Sequence, residues 1–211
     1  MLNNFKNVLV LAPHTDDGEL GAGGTISKLR EMGIKITYVA FSTAKESVPK
    51  KYKSNILKIE VKKATAVLGI KPSNLILFDY QVRKLGYSRQ NILDDLVKLK
   101  NKNSFDLVFI PSTNDIHQDH ATIAQEGIRA FKNITILGYE LIWNNINFNT
   151  TCFIKLNKKH LNNKIKALSK YKSQSHRSYM QKKFIESHAI TRGVQSGCDF
   201  AESFEVIRLV I

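Results

Sequence analysis

The stretch FKNVLVLAPHTDDGEL, residues 5–20, decides the fold of this chain. Its first part, residues 5–11, is an apolar run of the kind found in strands that are buried on both faces of a sheet. A polar loop follows, and residues 20–32 then show apolar positions at helical spacing, with Gly33 as a helix stop. A buried strand that runs through a polar loop into a helix is the usual opening of a parallel α/β sheet.

The alternation of strand and helix continues along the rest of the chain. Further strands are predicted at residues 34–41, 74–78, 105–110 and 134–139, and further helices at residues 56–68, 91–99, 119–131, 160–171 and 181–189. Residues 203–211 predict a last strand, added at a sheet edge. Short alternating units pair in parallel through right-handed crossovers. We therefore expect an α/β fold, a single-domain three-layer Rossmann-like sheet, mostly parallel and with helices on both faces, over residues 1–211.

The composition fits one globular domain. The chain has 211 residues, of which 43% are hydrophobic and 24% charged, enough to bury a sizeable core. No stretch approaches the roughly 20 uninterrupted apolar residues of a membrane helix, and the first residues indicate a strand and not a signal peptide. Cys152 and Cys198 match neither a disulfide framework nor a zinc ribbon. We therefore expect a cytoplasmic protein with two free thiols.

A formal net charge of +14 has three interpretations: a solvated surface, attraction to an anionic substrate or bilayer, and nucleic-acid binding. The lysines are spread along the chain, and no nucleic-acid-binding module is recognisable. We favour the solvated surface and expect no nucleic-acid partner. An anionic carrier on a small-molecule substrate stays open, as does a homo-oligomer.

Two polar clusters follow two of the predicted strands. His14, Asp16 and Asp17 come after the first strand, and His117 and His120 come after the fourth, one helical turn apart. In a doubly wound sheet these strands are neighbours, and their carboxyl ends border a ligand-binding crevice. Carboxylates crowded at one crevice repel one another unless a cation or hydrogen bonds offset the charge, and a divalent metal is the simplest such cation. Histidine nitrogens and carboxylate oxygens are ligands that zinc accepts, so the sequence predicts a metal site.

Each cluster alone also has an ordinary structural explanation. A His-x-x-His pair often lies on a helix surface, and adjacent aspartates can cap a helix. A dinucleotide-binding loop at residues 21–24 (GAGG) is excluded, because the pattern needs glycine where Ile26 stands and an acid after the second strand. A metal-dependent phosphoesterase and a non-catalytic metal-binding protein remain as alternatives to a metal-dependent amide hydrolase.

These motifs also carry a family resemblance. The segment HTDD at residues 14–17, with Glu19, resembles the AHPDDxE motif of the LmbE-like or PIG-L deacetylase family, and HQDH at residues 117–120 looks like that family's HPDH. Weaker matches extend over nearly the whole chain: Gly21, Gly24, Thr25, Glu60, Ala64, Leu68, Gly69, YKSQ at residues 171–174, Ala201, Glu202 and Phe204. The resemblance implies a zinc-dependent enzyme that removes an N-acetyl group from an amino-sugar conjugate.

The resemblance also implies a set of metal ligands. His14, Asp17 and His120 would bind Zn²⁺, or another divalent metal, and leave positions open for water and the substrate carbonyl. Three protein ligands with open positions are typical of a catalytic zinc site. The spare acid and histidine in the clusters would then serve the reaction itself.

We assign catalytic roles to Asp16, His117 and Asp119. Asp16 would take the proton of the attacking water. His117 would be a charged imidazole that stabilises the oxyanion or protonates the leaving amine, with Asp119 orienting it. Whether Asp16 or His117 donates that proton stays open at this point.

Departures from the family pattern affect the substrate contacts. Thr15 replaces the usual proline. Leu57, which Lys58 follows, occupies the position at which many members carry an arginine. Val82 lies nearest to the position after the third strand at which many members carry an aspartate that this chain lacks. Other residues must therefore contact the substrate. The candidates are Arg83, Arg89, Glu140, Trp143 and Arg192. Residues 192–197 (RGVQSG) predict a flexible loop that closes over the site, with an ordinary surface connection as the alternative.

Overall fold

A seven-stranded sheet with the order β3-β2-β1-β4-β5-β7-β6 forms the centre of the molecule. The computed structural model describes residues 2–210. The strands are β1 Asn7–Ala12, β2 Lys35–Ala40, β3 Leu75–Leu77, β4 Leu107–Pro111, β5 Thr135–Tyr139, β6 Cys152–Leu156 and β7 Phe200–Arg208. The helices are α1 Asp17–Glu31, α2 Ile56–Val67, α3 Arg89–Lys102, α4 Gln118–Ala130, α5 Lys158–Leu168 and α6 Lys182–Ser196.

The first five strands are parallel, and β1 lies between β2 and β4. Chain connections run outward in opposite directions from β1 and β4, so their carboxyl ends border a crevice. The two loops that leave these ends carry both predicted clusters. The prediction of a three-layer, mostly parallel Rossmann-like sheet is confirmed.

Burial on both faces explains the apolar run of β1. Val8 and Val10 belong to a core formed with α1, α2, α5 and α6, while Leu9 and Leu11 belong to a second core formed with α3 and α4. Successive side chains of a strand point to opposite faces, so a strand covered by helices on both sides must be apolar throughout.

The last part of the sheet differs from the prediction. The final strand was expected at an edge, but β7 pairs antiparallel with β5 on one side and β6 on the other. Strand β6 was missed because its five residues, CFIKL, are short and only partly buried. Residue 211, the end of the predicted strand, lies outside the described residues. Between residues 2 and 210, no helix is long and apolar enough to cross a membrane.

The predicted loop at residues 192–197 is wrong, because α6 continues to Ser196. Gly193 is a point of close packing rather than of flexibility, since a Cβ there would lie 2.6 Å from the Asp199 carbonyl oxygen. Gly197 ends the helix with a φ of +65°, a conformation that glycine adopts at low cost.

Helix α1 is kinked at Ala22, whose φ of −138° is not helical. The backbone N–H groups of Gly24 and Thr25 donate to the Glu202 carboxylate at 2.9 and 2.7 Å. Glu202 lies on β7 and also accepts a hydrogen bond from Lys164 Nζ at 2.7 Å. The two backbone N–H groups next to the kink therefore find their hydrogen-bond acceptor on β7, the last strand in chain order.

Candidate metal centre

The loop between β1 and α1 places two aspartates at the start of a helix. Asp17 is the first helical residue, and its Oδ2 accepts the His14 backbone N–H at 2.7 Å. Asp16 occupies the N-cap position, but its side chain makes no capping hydrogen bond to the described residues. Asp16 is therefore not explained as an ordinary helix cap, and its carboxylate lines a cavity.

The loop between β4 and α4 supplies the other two histidines. His117 is the N-cap of α4, and its Nδ1 accepts the backbone N–H of Asp119 at 3.1 Å. His120 lies in the first turn and is buried. Since Nδ1 of His117 is an acceptor, the neutral ring carries its proton on Nε2.

Three ligand atoms from the two loops form a nearly equilateral triangle. His14 Nδ1 lies 3.1 Å from Asp17 Oδ2, His120 Nε2 lies 3.3 Å from the same oxygen, and the two nitrogens are 3.2 Å apart. Tetrahedral zinc with ligands at 2.0–2.1 Å requires ligand atoms about 3.3 Å apart. The triangle therefore fits a tetrahedral metal with one position open.

A second combination of ligands is also close enough to hold a metal. One ring nitrogen from each of His14, His117 and His120 lies within 4.8 Å of the others. In the triangle with Asp17, all three separations match the spacing that tetrahedral zinc requires. We therefore prefer the triangle as the ligand set, with His117 beside it.

A carboxylate supports each of the two histidines in the triangle. Asp119 Oδ2 contacts His14 Nε2 at 2.9 Å, and Asp115 Oδ2 contacts His120 Nδ1 at 2.7 Å. Carboxylates behind metal-binding histidines fix the ring orientation and raise ligand basicity. Asp119 contacts His117 through its backbone N–H, while its carboxylate faces His14 and not His117. Asp115 was missed, although it stands in the same NDIHQDH segment.

The electrostatics of the centre favour a cation. Burial alone lowers the pKa of His14 and of His120, but the Asp17 charge and hydrogen bonds to nearby aspartates raise these values to about 9 and about 10. Burial raises the pKa of Asp17, yet the charges of His120 and His14 hold it well below its usual range. A negative potential that retains protons on two histidines attracts a metal ion in their place.

The two spare residues behave differently. Burial, with the charge of Asp17, raises the pKa of Asp16 to about 6. Burial, with the charges of His120 and His14, lowers the pKa of His117. The expectation of a charged His117 imidazole is therefore not supported, and the neutral ring with a proton on Nε2 is favoured.

A buried hydrogen-bond network supports the loop between β1 and α1. The hydroxyl groups of Tyr38 and Tyr171 lie 3.0 and 2.7 Å from the Thr15 carbonyl oxygen, and both also contact the Glu19 carboxylate. Burial raises the pKa of Glu19 to about 8. A Cβ on Gly18 would lie 2.6 Å from the Tyr38 ring, so this close approach requires glycine.

The metal centre opens into a cavity of about 270 Å³. Besides the two polar loops, its wall includes Leu57, Arg83, Trp143, Arg177 and Tyr179. The Trp143 and Tyr179 rings stack with centroids 4.0 Å apart and an interplanar angle of 9°. The cavity therefore combines a charged end at the metal centre with an aromatic wall.

The predicted substrate contacts divide into two groups. Arg83 and Trp143 line the cavity, whereas Arg89, Glu140 and Arg192 do not. Arg89 Nε instead binds Glu126 at 2.6 Å, because Arg89 is the first residue of α3 and faces α4. Arg177, which the sequence reasoning missed, lies three residues after the YKSQ motif.

Glu140 and Arg192 belong to a second polar cluster, which we call the glutamate cluster: Glu140, Lys164, His188, Arg192 and Glu202. Glu140 binds the Arg192 guanidinium, His188 Nε2 at 2.9 Å and Ser203 Oγ at 2.8 Å. Although burial raises the pKa of Glu140, the hydrogen bonds from His188 and Arg192 lower it to about 2. His188, on α6, is therefore a partner of Glu140.

The chain is similar in sequence to known deacetylases. A sequence model of the PIG-L family, described as GlcNAc-PI de-N-acetylase, matches residues 9–131. An uncharacterized deacetylase of Escherichia coli, YaiS, is 26% identical over 175 residues, which cover 81% of this chain and 93% of YaiS. The diacetylchitobiose deacetylase of Thermococcus kodakarensis is 28% identical over 136 residues, covering 61% of this chain and 50% of that protein.

A solved structure has the same fold. The N,N'-diacetylchitobiose deacetylase of Pyrococcus horikoshii superposes with a TM-score of 0.82 at 23% identity, covering 98% of this chain and 85% of that one. At this identity the likeness establishes the fold, and the chemistry must be argued from the site.

Proposed function

The chain belongs to the PIG-L family of de-N-acetylases, and on that premise we propose that it removes the N-acetyl group from an amino-sugar conjugate with the help of a divalent metal. The family's reaction is hydrolysis of an amide C–N bond, and the chain is a hydrolase of that class. The observation that carries the proposal is the triangle of His14 Nδ1, Asp17 Oδ2 and His120 Nε2, which opens to the cavity beside the uncommitted Asp16.

We propose that zinc is held by His14, Asp17 and His120. The donor set of two nitrogens and one carboxylate oxygen suits zinc, and the spacing of the three atoms supports tetrahedral binding. When bound, such an ion acidifies water and polarises a carbonyl group. Asp119 and Asp115 hold the two imidazole rings so that their inner nitrogens face one point.

Asp16 is the proposed base. It takes a proton from the attacking water, whose oxygen bonds to the acetyl carbonyl carbon, and the same carboxyl group then delivers the proton to the amine nitrogen as the C–N bond breaks. The products are acetate and the free amine. The support for this role is position: Asp16 lines the cavity next to Asp17 and is not used as a helix cap.

We propose that His117 donates a hydrogen bond to the oxyanion. Its Nδ1 accepts the Asp119 backbone N–H, which leaves the Nε2 proton for the carbonyl oxygen as negative charge develops there. Because Nδ1 is an acceptor, the ring in this role is neutral, whereas a charged imidazole was expected from the sequence. The sugar ring is proposed to stack on Trp143, which forms the aromatic wall with Tyr179.

The test measures acetate and metal together. Purified protein is analysed for metal and incubated with the methyl glycoside of N-acetylglucosamine and with other N-acetylglucosamine conjugates. We expect acetate release that disappears with a chelator and returns with Zn²⁺. Release of phosphate from phosphate esters, with no acetate from any conjugate, favours the phosphoesterase alternative. Metal binding without either product favours the non-catalytic one.

Two histidine variants test the ligand set. His120→Ala should lose the metal, whereas His117→Ala should retain it and lose turnover. His176→Ala is the matched control, because His176 is exposed and lies outside the cavity. Loss of metal from His117→Ala would instead support the set of three histidines. We further propose that residues 1–211 act as one domain, while the cytoplasmic location and the oligomeric state stay predictions.

A further inference from the structure

Two arginines line the cavity without an acidic partner. Within residues 2–210, no carboxylate lies within salt-bridge distance of the Arg83 or the Arg177 guanidinium. Of the arginines outside the cavity, three bind a glutamate and two bind backbone carbonyl oxygens: Arg89, Arg129 and Arg192, and Arg30 and Arg208. An arginine that lines a cavity and has no protein carboxylate within salt-bridge distance can bind an anion that enters from solvent.

Arg177 is held against the aromatic wall. Its Nε donates to Gln174 Oε1 at 2.8 Å, and its Cζ lies 5.8 Å from the centre of the Tyr179 ring. Gln174 is buried, and Tyr179 stacks on Trp143. The guanidinium is thereby fixed next to the surface on which the sugar ring is proposed to stack.

Arg83 faces the same cavity from a strained backbone. Its φ is +64°, and Ala44, with a φ of +46°, is the one other non-glycine residue with positive φ in the described chain. Both residues line the cavity. The Arg83 conformation is held by its backbone N–H, which donates to Asp119 Oδ2 at 2.6 Å. Strained residues of this kind concentrate at ligand-binding sites.

Among the described residues, the carboxylates that line the cavity are Asp16 and Asp17, and a bound divalent ion would offset their charges. Asp115 and Asp119 lie behind His120 and His14, and neither forms a salt bridge with Arg83 or Arg177. Leu57 stands in the wall where the family pattern has an arginine, and Lys58 does not line the cavity. The cavity therefore carries its two cations on elements other than α2.

We propose, resting on the function proposed above, that the part of the substrate attached to the amino sugar carries a carboxylate or a phosphate, which Arg83 and Arg177 bind together. Guanidinium groups bind both anions through paired hydrogen bonds. Bound in this way, the anionic group places the sugar ring against Trp143 and the acetamide toward the metal centre.

Binding is measured without turnover by the fluorescence of Trp143, which is the single tryptophan of the chain. The zinc-loaded protein is titrated with three deacetylated glucosamine compounds: the neutral methyl glycoside, a glycoside of a hydroxy acid, and a phosphodiester. We expect an anionic compound to bind about 10- to 100-fold more tightly than the neutral one, as paired charged hydrogen bonds allow. The second and third titrations distinguish a carboxylate from a phosphate.

Variants separate local binding from general attraction to a basic protein. Arg83→Gln and Arg177→Gln should each remove most of the preference for the anionic compound, measured as the ratio of the dissociation constants of the neutral and the anionic compound. Arg177→Lys, which keeps the charge but not the paired donors, should retain part of the preference for the anionic compound. Lys183→Gln removes one exposed charge outside the cavity and should leave the preference intact.

The proposal is overturned if neutral and anionic compounds bind equally, or if the preference survives in both glutamine variants. It is also overturned if Lys183→Gln reduces the preference as much as they do. Acetate release from the corresponding N-acetylated compounds is a separate measurement. A protein that releases acetate without regard to charge contradicts this inference alone, whereas one that releases none contradicts the proposed function.

Discussion

The metal centre and the glutamate cluster both consist of buried histidines and carboxylates, but their charges are balanced in different ways. In the glutamate cluster, Arg192 and His188 bind Glu140, and Lys164 binds Glu202. In the metal centre, no lysine or arginine of the described chain forms an ion pair with Asp16 or Asp17. Buried charges need partners. The glutamate cluster finds them in a lysine, an arginine and a histidine, whereas Asp17 in the metal centre has only His14 and His120, the two histidines proposed to bind the metal with it.

This difference predicts which residues affect the reaction and which affect folding. Substitutions in the metal centre should change metal binding or turnover and leave stability nearly unchanged. Substitutions in the glutamate cluster should do the reverse. The four predictions below test that division in order of decreasing effect.

The largest effect is expected from Asp16→Asn. The amide cannot accept a proton, so turnover should fall about 10²- to 10⁴-fold, while the metal content and unfolding midpoint stay close to those of the wild type. Acetate release and metal analysis measure the two quantities. Asp94→Asn, which alters an exposed carboxylate on α3, is the control. Full activity of Asp16→Asn would remove Asp16 from the mechanism.

Lys164→Met should destabilise the fold by about 3 kcal/mol, because it leaves the buried Glu202 without its cation. Urea unfolding of the zinc-loaded protein measures the change. Lys166→Met, on the exposed side of the same helix, should cost less than about 0.5 kcal/mol. If Lys164→Met unfolds at the wild-type midpoint, the glutamate cluster does not stabilise the fold as the comparison requires.

Glu140→Gln should alter how stability depends on pH. The pKa of Glu140 falls from 4.5 to about 2 in the folded protein, so its ionised form stabilises the fold above pH 4.5, and this contribution is lost as the pH falls through about 2. At pH 7 the free energy of unfolding of the wild type should exceed that of the variant by up to about 3 kcal/mol.

The difference in free energy of unfolding between the wild type and Glu140→Gln should become smaller as the pH is lowered from 4.5 toward 2. The groups facing this carboxylate are Arg192 and His188 on α6 and Ser203 on β7. Urea unfolding at several pH values gives the profile. A difference that stays constant down to pH 2.5 would show that Glu140 is not ionised preferentially in the fold.

The smallest effect is expected from Asp115→Asn. The variant keeps an oxygen for His120 Nδ1 but removes the charge that makes the ring a stronger ligand, so metal affinity should fall about 10- to 100-fold. Competition with a coloured chelator measures the affinity. Asp94→Asn serves again as control. An unchanged metal affinity would mean that the Asp115 charge does not strengthen His120 as a metal ligand.

The sequence predicted the sheet and the crevice well, because their patterns are local. The apolar run of β1 and the polar loops after β1 and β4 can each be recognised within a few residues. The family motif added the roles of the histidines and aspartates. Strand β6 and the interior position of β7 were not predicted, since pairing between residues 152–156 and 200–204 depends on the tertiary structure.

The side-chain partners were predicted less well for the same reason. Glycine at position 193 suggested a flexible loop, but the tight contact with Asp199 that requires it is formed only in the fold. Arg192 and Glu140 were expected at the substrate because both are polar and near the rim. Their mutual ion pair, across 52 residues of sequence, has no local pattern from which it could be read.

The kink in α1 has a consequence for how the protein is made. All proposed metal ligands lie within the first 120 residues, yet Gly24 N–H and Thr25 N–H find their acceptor only in Glu202, 178 and 177 residues later. Tyr171, which supports the Thr15 carbonyl, also comes late. During translation His14 and Asp17, two of the proposed ligands, therefore leave the ribosome well before Tyr171 and Glu202, the residues that support α1 and the loop in front of it.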